Sequence, residues 1–215
     1  MMNPKNKKTA KQYLKKDPFL LFNEFNHKYY DLKRKCIFSK SISDIKNYNK
    51  KNDYTDANIE RGKFRGTVIH KACEIYCKTK NKPAALSHAG EYKNSVFNFV
   101  NAHFWNSWDV VVSEFQLADR ITDVAGTLDL ILEHKQTKQI VLADIKTGQY
   151  APKVKVQLGG YVSLLYKNFP DLEIDFCQVI FIHEDGCYRK RFETQDSLEE
   201  YNACSKLYYE KLIPW

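Results

Sequence analysis

The chain has 215 residues, 34 Lys and Arg against 26 Asp and Glu, a net charge of +8, and a hydrophobic fraction of 43%. That length and composition suit one folded domain with a sizeable core and exclude a disordered chain. No apolar run approaches 18 residues and the N-terminus has no apolar signal core, so neither a membrane span nor a secretory leader is expected.

The charge is uneven. Residues 1–65 hold 17 Lys and Arg against 7 Asp and Glu, and residues 66–215 hold 17 against 19. Such a basic field attracts polyanions. Lys5, Lys7, Lys8 and Lys11 lie in residues 1–16, read as a flexible basic arm that is either a solvated, solubilising tail or a nucleic-acid contact. Their being lysines, with no serine among them, argues against a mitochondrial transit peptide, and a cytoplasmic location is expected. Six cysteines are scattered with no C-x-x-C pair, which favours reduced thiols over a zinc knuckle. Cys73 and Cys77, four apart, read as buried.

In chain order, residues 17–35 read as a helix, with Asp17 as cap, Pro18 in the first turn and a stripe of Phe19, Leu20, Phe22, Phe25, Tyr29 and Leu32. Residues 40–62 read as a helix followed by a loop. Helices follow at 66–80 and 91–107, the second striped by Tyr92, Val96, Phe99, Val100 and Phe104. The period then changes. Val110–Leu117, Val124–Leu132 and Gln139–Ile145 read as three successive strands. A helix is expected over 153–169, a strand pair at Phe176–Ile182 and Tyr188–Phe192 across Glu184-Asp185-Gly186, and a closing helix over 196–211. The order predicts an α/β fold with a mixed sheet. Residues 17–215 form one domain: a helical part over 17–65, a core over 66–195, and the closing helix.

Two segments carry chemistry. In Asp144-Ile145-Lys146 the polar residues sit at i and i+2, so on a strand both leave the same face. Burying an acid and a lysine in an apolar run is costly without a purpose. Asp129, in Gly126-Thr127-Leu128-Asp129, brings a second carboxylate from the neighbouring run. Two carboxylates and a lysine beside one strand suit a divalent metal and a phosphodiester. The same residues also fit a solvated salt bridge.

Gly66-Thr67-Val68-Ile69-His70, Gly126-Thr127-Leu128-Asp129, Asp144-Ile145-Lys146-Thr147-Gly148 and Gln157-Leu158-Gly159-Gly160-Tyr161 together resemble the ordered motifs of PD-(D/E)XK nucleases. The RecB-type branch, with CRISPR-associated, phage recombination and mitochondrial genome maintenance exonucleases, is the most similar. The resemblance spans about residues 60–185. It implies a restriction-endonuclease-like α/β core, a central mixed sheet flanked by helices. It implies one or two Mg²⁺ or Mn²⁺ ions on His70, Asp129, Asp144 and the Ile145 carbonyl, with Lys146 acting on the attacking water or phosphate. Gln157 and Tyr161, i and i+4 on one helix face, would position DNA and the lysine. Glu74 and Glu114 are candidates for outer support of the metal. Asp144 stands where many relatives carry Glu, which the pattern admits. The scattered Cys177, Cys187 and Cys204, with Cys36 upstream, do not form the cluster that holds iron and sulfur in some relatives, so none is expected.

The resemblance implies a metal-dependent exonuclease acting on single-stranded or end-opened linear DNA in recombination, repair or genome maintenance. It allows a homo-oligomer or a recombination or repair partner. A structure- or sequence-specific endonuclease and a non-catalytic DNA-binding module are the alternatives.

Overall fold

The computed structural model describes residues 9–47, 56–148 and 153–211. It is α/β, a mixed sheet flanked by helices, consistent with a restriction-endonuclease-like α/β fold. Among the described residues no helix is long and apolar enough to cross a membrane.

The N-terminal third departs from expectation. Residues 9–16 are not a free arm: Thr9 caps a single-turn helix, α1 (Ala10–Tyr13), and the Ala10 amide donates to Glu133 Oε2 at 3.0 Å. Ala10 and Leu14 are buried in the core. Lys11 is exposed on that turn, while Lys5, Lys7 and Lys8 lie outside the described residues.

Residues 17–35 are not a helix. They form β1 (Leu20–Asn23) and β2 (Lys28–Asp31), joined antiparallel and continued by β3 (Cys36–Ile37). Short-range side-chain bonds decided this. Asp17 Oδ1 accepts from the Phe19 amide at 2.9 Å, and Asn23 Oδ1 from the Phe25 and Asn26 amides at 2.9 and 3.3 Å. Asp31 Oδ1 accepts from the Lys33 and Arg34 amides, and His27 and Lys35 adopt positive φ. Asx turns and left-handed residues break a helix wherever they close. The apolar stripe was read at the wrong period.

β4 (Lys40–Ser41) and α2 (Ile42–Asn47) follow, then the long α3 (Asp56–Thr79), which begins where a loop was expected. The expected helix over 91–107 is broken: α4 (Lys82–Ala89) precedes a 3-10 turn, then α5 (Lys93–Val100) and a second 3-10 turn at His103–Asn106. The predicted stripe still packs, with Val96, Phe99, Val100 and Phe104 all buried.

β5 (Trp108–Asp119), β6 (Val124–His134) and β7 (Ile140–Lys146) form where predicted, as do α6 (Val154–Asn168), β8 (Phe176–Ile182), β9 (Cys187–Phe192) and α7 (Thr194–Glu210). β5 runs antiparallel along one edge of β6. On the other edge β4 pairs in parallel with Val124 and Ala125, and β7 pairs antiparallel with Leu130–Glu133. β8 is parallel to β7, which suits the α6 crossover, and β9 closes antiparallel.

The sheet is covered on both faces. Leu142, Leu158, Leu165 and Val179 pack with α2, α6 and α7 on one side. Ile69, Cys73, Phe99, Val141, Ala143 and Ile145 pack with α3, α4 and α5 on the other. Burial on both faces explains why β7 reads as a continuous apolar run.

Two glycines set the helix packing. A Cβ on Gly159 would lie 1.9 Å from the Ser197 carbonyl oxygen, and one on Gly160 would lie 2.8 Å from Ile42. The Gly-Gly pair therefore lets α6 seat against α7 and α2.

Candidate active site

β6 and β7 part company beyond the Leu130–Ala143 pair, leaving residues 126–129 of β6 without a strand partner on that edge among the described residues. The Gly126-Thr127-Leu128-Asp129 segment occupies this fork. The ring of Tyr161 fills the space beside Gly126, where a Cβ would meet Tyr161 Cε1 at 2.9 Å. Asp129 Oδ2 accepts the Ile145 amide at 2.6 Å, so its carboxylate takes an N–H that the ladder no longer pairs.

Opposite Asp129, Glu114 in β5 has φ 49°, a left-handed residue inside a strand. The alternation of β6 breaks at the same level. Leu128 packs on the α6 side and Leu130, two residues on, packs on the α3 side. This paired irregularity turns the Glu114 and Asp129 carboxylates toward α3, much as a bulge re-aims a side chain.

His70 arrives from α3. Its Nδ1 lies 3.7 Å from Asp129 Oδ2 and 3.9 Å from Glu114 Oε1, and its Nε2 lies 3.1 Å from the Ile145 carbonyl oxygen. One ligand atom each from His70, Glu114 and Asp129 falls within 4.8 Å of the others. An imidazole and two carboxylates, with a backbone carbonyl on the same ring, fit a small hard divalent cation.

The electrostatics agree. Burial raises the Asp129 pKa, as do Asp144 and Glu114, against the pull of His70. Burial opposes the charge on His70, but Asp129 and Glu114 outweigh it and raise its pKa too. Burial and neighbouring carboxylates thus both make a lone negative charge at Asp129 costly, a cost that a divalent ion would relieve.

Asp144 and Lys146 stand beside this group, on the α6 face. Asp144 is 1% exposed, and its Oδ1 has no partner among the described residues. Lys146 Nζ lies 2.5 Å from Oδ2 as an ion contact. A buried carboxylate with one oxygen unpartnered can take a further cation. Burial opposes the Lys146 charge, but Asp144 and Asp129 overcome it and raise its pKa.

Lys146 Nζ donates to Gln157 Oε1 at 3.2 Å, and Lys46 from α2 donates to the same oxygen at 2.9 Å. Gln157 Nε2 donates to the Tyr161 hydroxyl at 3.4 Å. Burial holds the Tyr161 hydroxyl well above its ordinary pKa, so it remains a neutral phenol. Behind them the Tyr29 hydroxyl bonds Thr127 Oγ1 at 2.9 Å, with its pKa pushed up to about 12, chiefly by burial.

The structure therefore gathers His70, Asp129, Asp144, Ile145, Lys146, Gln157 and Tyr161 around one fork. It differs in emphasis. Glu114, read as outer support, joins His70 and Asp129 directly, while Asp144 faces Lys146. Glu74 gives its carboxylate to Lys71 at 2.8 Å and to Lys78. Lys46 was missed. It sits in a lysine-rich polar stretch where nothing in the sequence sets it apart.

Next to the fork lies a cleft of about 610 Å³ between the β1–β2 hairpin, β4, α2 and α3. Among the described residues its wall carries Lys28, Lys40 and Lys63 with Phe22, Tyr29 and Thr67, and one carboxylate, Asp44, bonded to Ser41.

No family model matches this chain, and no curated protein matches it. Among solved structures it is similar to one described as SSO0001, 11% identical, covering 78% of this chain and 75% of that chain, with a TM-score of 0.34.

Proposed function

We propose that this protein is a Mg²⁺- or Mn²⁺-dependent deoxyribonuclease, an exonuclease acting on single-stranded or end-opened linear DNA. The observation that carries the reading is the fork. An imidazole and two carboxylates converge there beside a buried Asp144–Lys146 pair. A binding module has no use for so many buried charges, each costly to keep.

His70, Glu114, Asp129 and the Ile145 carbonyl would hold one ion, and Asp144 has its Oδ1 left to share it or to take a second. The ion supplies an activated water and stabilises the leaving oxygen. The chain's own groups do the rest. Lys146 and Lys46 meet at Gln157 Oε1, and two lysine side chains on one oxygen place positive charge where a phosphate would enter. Lys146 would offset phosphate charge and orient or help deprotonate the attacking water. Gln157 fixes both lysines, and Tyr161 holds Gln157 through its neutral hydroxyl. Lys28, Lys40 and Lys63 on the adjoining cleft suit the backbone of the incoming strand. The reading carries with it a role in recombination, repair or genome maintenance, in the cytoplasm.

The test is degradation of end-labelled linear single-stranded, linear duplex and closed-circular DNA with Mg²⁺, Mn²⁺ or EDTA, comparing the native chain with Lys146→Ala. Metal-dependent loss of linear DNA alone, abolished by Lys146→Ala, is the expected result. Cutting of closed circles would turn the reading to an endonuclease. Binding without cleavage under either metal would refute an enzyme.

A further inference from the structure

The β1–β2–β3 sheet lays one face on the body of the protein and turns the other outward. Leu20, Tyr29 and Phe38 point inward and pack with Ala118 and Ala125, where β5 ends and β6 begins. Alternation then assigns the outer face. Leu21 pairs with Tyr30, and Tyr30 pairs with Ile37. The Leu32 amide donates to the Phe19 carbonyl at 2.8 Å, which carries the ladder one pair further and sets Phe19 opposite Leu32.

An antiparallel sheet covered on one face is ordinarily polar on the other. This one is apolar. Phe19, Leu21, Leu32 and Ile37 are each between 47% and 52% exposed, with Tyr30 half-buried between Leu21 and Ile37. Single exposed apolar residues are ordinary, but a contiguous set on one face marks a binding surface.

The charge around the face is cationic. Lys28 stands on it, opposite Asn23, and Lys15, Lys16, Lys33 and Lys35 are exposed in the segments that flank the strands. Of the nearby acids, Asp31 is buried on the inner side, Asp17 pairs with Arg120 at 2.7 Å, and Glu24 is exposed in the β1–β2 turn. That balance attracts a polyanion. It disfavours a second copy of this chain, whose own lysines would meet these across a two-fold axis.

The face is continuous with the cleft beside the fork. Lys28 also lines that cleft, and the next residue, Tyr29, bonds Thr127 of the fork. Tyr30 is held in place, since its hydroxyl accepts from Asn26 Nδ2 at 2.7 Å. Its ring and that of Phe19 stand diagonally on neighbouring strands.

We propose that this outer face binds single-stranded DNA beyond the cleft, an inference that rests on the deoxyribonuclease reading. Bases lie against Phe19 and Tyr30, with Leu21, Leu32 and Ile37 as the apolar floor, and the lysines hold the phosphates. A duplex hides its base faces, so the surface selects the unpaired strand.

The test measures binding by fluorescence anisotropy in EDTA, where nothing is cut. The probes are a labelled thirty-residue oligo(dT), an abasic strand of the same length and charge, and a duplex of that length. The native chain is compared with Phe19→Ala, Phe19→Trp and Leu32→Ser, all at exposed positions that should fold. The expected result is that Phe19→Ala lowers oligo(dT) affinity at least about fivefold, leaves the abasic strand and the duplex unchanged, and is rescued by Phe19→Trp. A merely structural loss would weaken all three probes and would overturn the proposal. So would unchanged oligo(dT) binding by Phe19→Ala, or no oligo(dT) binding by the native chain. Self-association of the native chain in sedimentation, relieved by Leu32→Ser with oligo(dT) binding intact, would make the face an interface between copies and overturn it too. Repeating the comparison with Mn²⁺ separates the two readings. Degradation of oligo(dT) with Phe19→Ala indistinguishable from native refutes the face alone, and binding that depends on Phe19 without degradation refutes the nuclease alone.

Discussion

Glu114 makes a sharp test, because its backbone and its carboxylate should act in opposite directions. With φ 49° in the middle of β5, it holds a left-handed conformation that costs an L-residue about 1–2 kcal/mol. Glycine removes that strain but loses about 0.5–1 kcal/mol in chain entropy. Glu114→Gln keeps the strain and removes the charge. In metal-free protein Glu114→Gly should therefore be more stable than Glu114→Gln by up to about 1 kcal/mol, or roughly 2–4 °C in Tm for a chain of this size. Both variants lose one of the three grouped ligand atoms, so both should bind Mn²⁺ at least about 10-fold more weakly. Thermal unfolding in EDTA gives the first comparison, and calorimetric titration with Mn²⁺ the second. If the glycine variant melts below the glutamine variant, the left-handed turn stores no strain. If Mn²⁺ affinity is unchanged in both, Glu114 is not a ligand.

Gly159→Ala should destabilise the protein by about 2–3 kcal/mol in denaturant titrations, because its Cβ would overlap the Ser197 carbonyl and push α6 from α7; a loss under about 0.5 kcal/mol would show that the helix contact yields freely. Acid should unfold the protein through two buried aspartates. Burial works against ionised Asp31, but the Arg34 amide, Arg120 and Arg34 overcome it and hold its pKa at about 2. Lys167, Thr122 and the Ile121 amide do the same for Asp119, also at about 2. Each contributes about 2 kcal/mol that is fully present above the unfolded value near pH 4 and is lost as pH falls through 2. Stability measured from pH 5 to pH 2 should therefore fall steeply, and Asp31→Asn should flatten the slope; an unchanged slope would contradict the assignment.

The candidate site was more legible in the sequence than the N-terminal third of the fold. Asp144, Lys146 and Asp129 stood out because charged residues in β-branched runs are rare, and β7 is indeed buried on both faces. Helical spacing placed Gln157 and Tyr161 on one face of α6, and the resemblance to RecB-type nucleases marked them as candidates. The segment over 17–35 was misread because its stripe also fits two short strands. The deciding bonds, from Asn23 and Asp31 to nearby amides, depend on turn geometry that periodicity does not encode. Asp31 shows what was hidden. It is a lone acid in sequence, yet in the fold it joins Arg34 at 2.8 Å and Arg120 at 2.6 Å, tying the hairpin to the end of β5. From sequence Glu114, between the apolar Val112 and Phe115, is a candidate for outer support only. Only the left-handed kink aims it at His70.

Asp129 is at once a candidate ligand and part of the sheet, and that doubles the demand on any variant meant to isolate its chemistry. Its Oδ2 accepts the Ile145 amide where β6 and β7 diverge. Asp129→Ala would leave that buried N–H without an acceptor, costing about 1–3 kcal/mol and loosening the segment that carries Lys146. Asparagine keeps an amide oxygen in the same place, so Asp129→Asn should hold the fork together. It also removes the charge that raises the pKa of His70 and attracts a cation. The expected pair of results is a native-like denaturation midpoint with Mn²⁺ binding lost for Asp129→Asn, and a lowered midpoint for Asp129→Ala. Equal midpoints would mean that the Ile145 amide finds another acceptor and that Asp129 serves the ion alone. Mn²⁺ binding retained by Asp129→Asn would remove Asp129 from the ligand set and with it the main support for a metal at the fork.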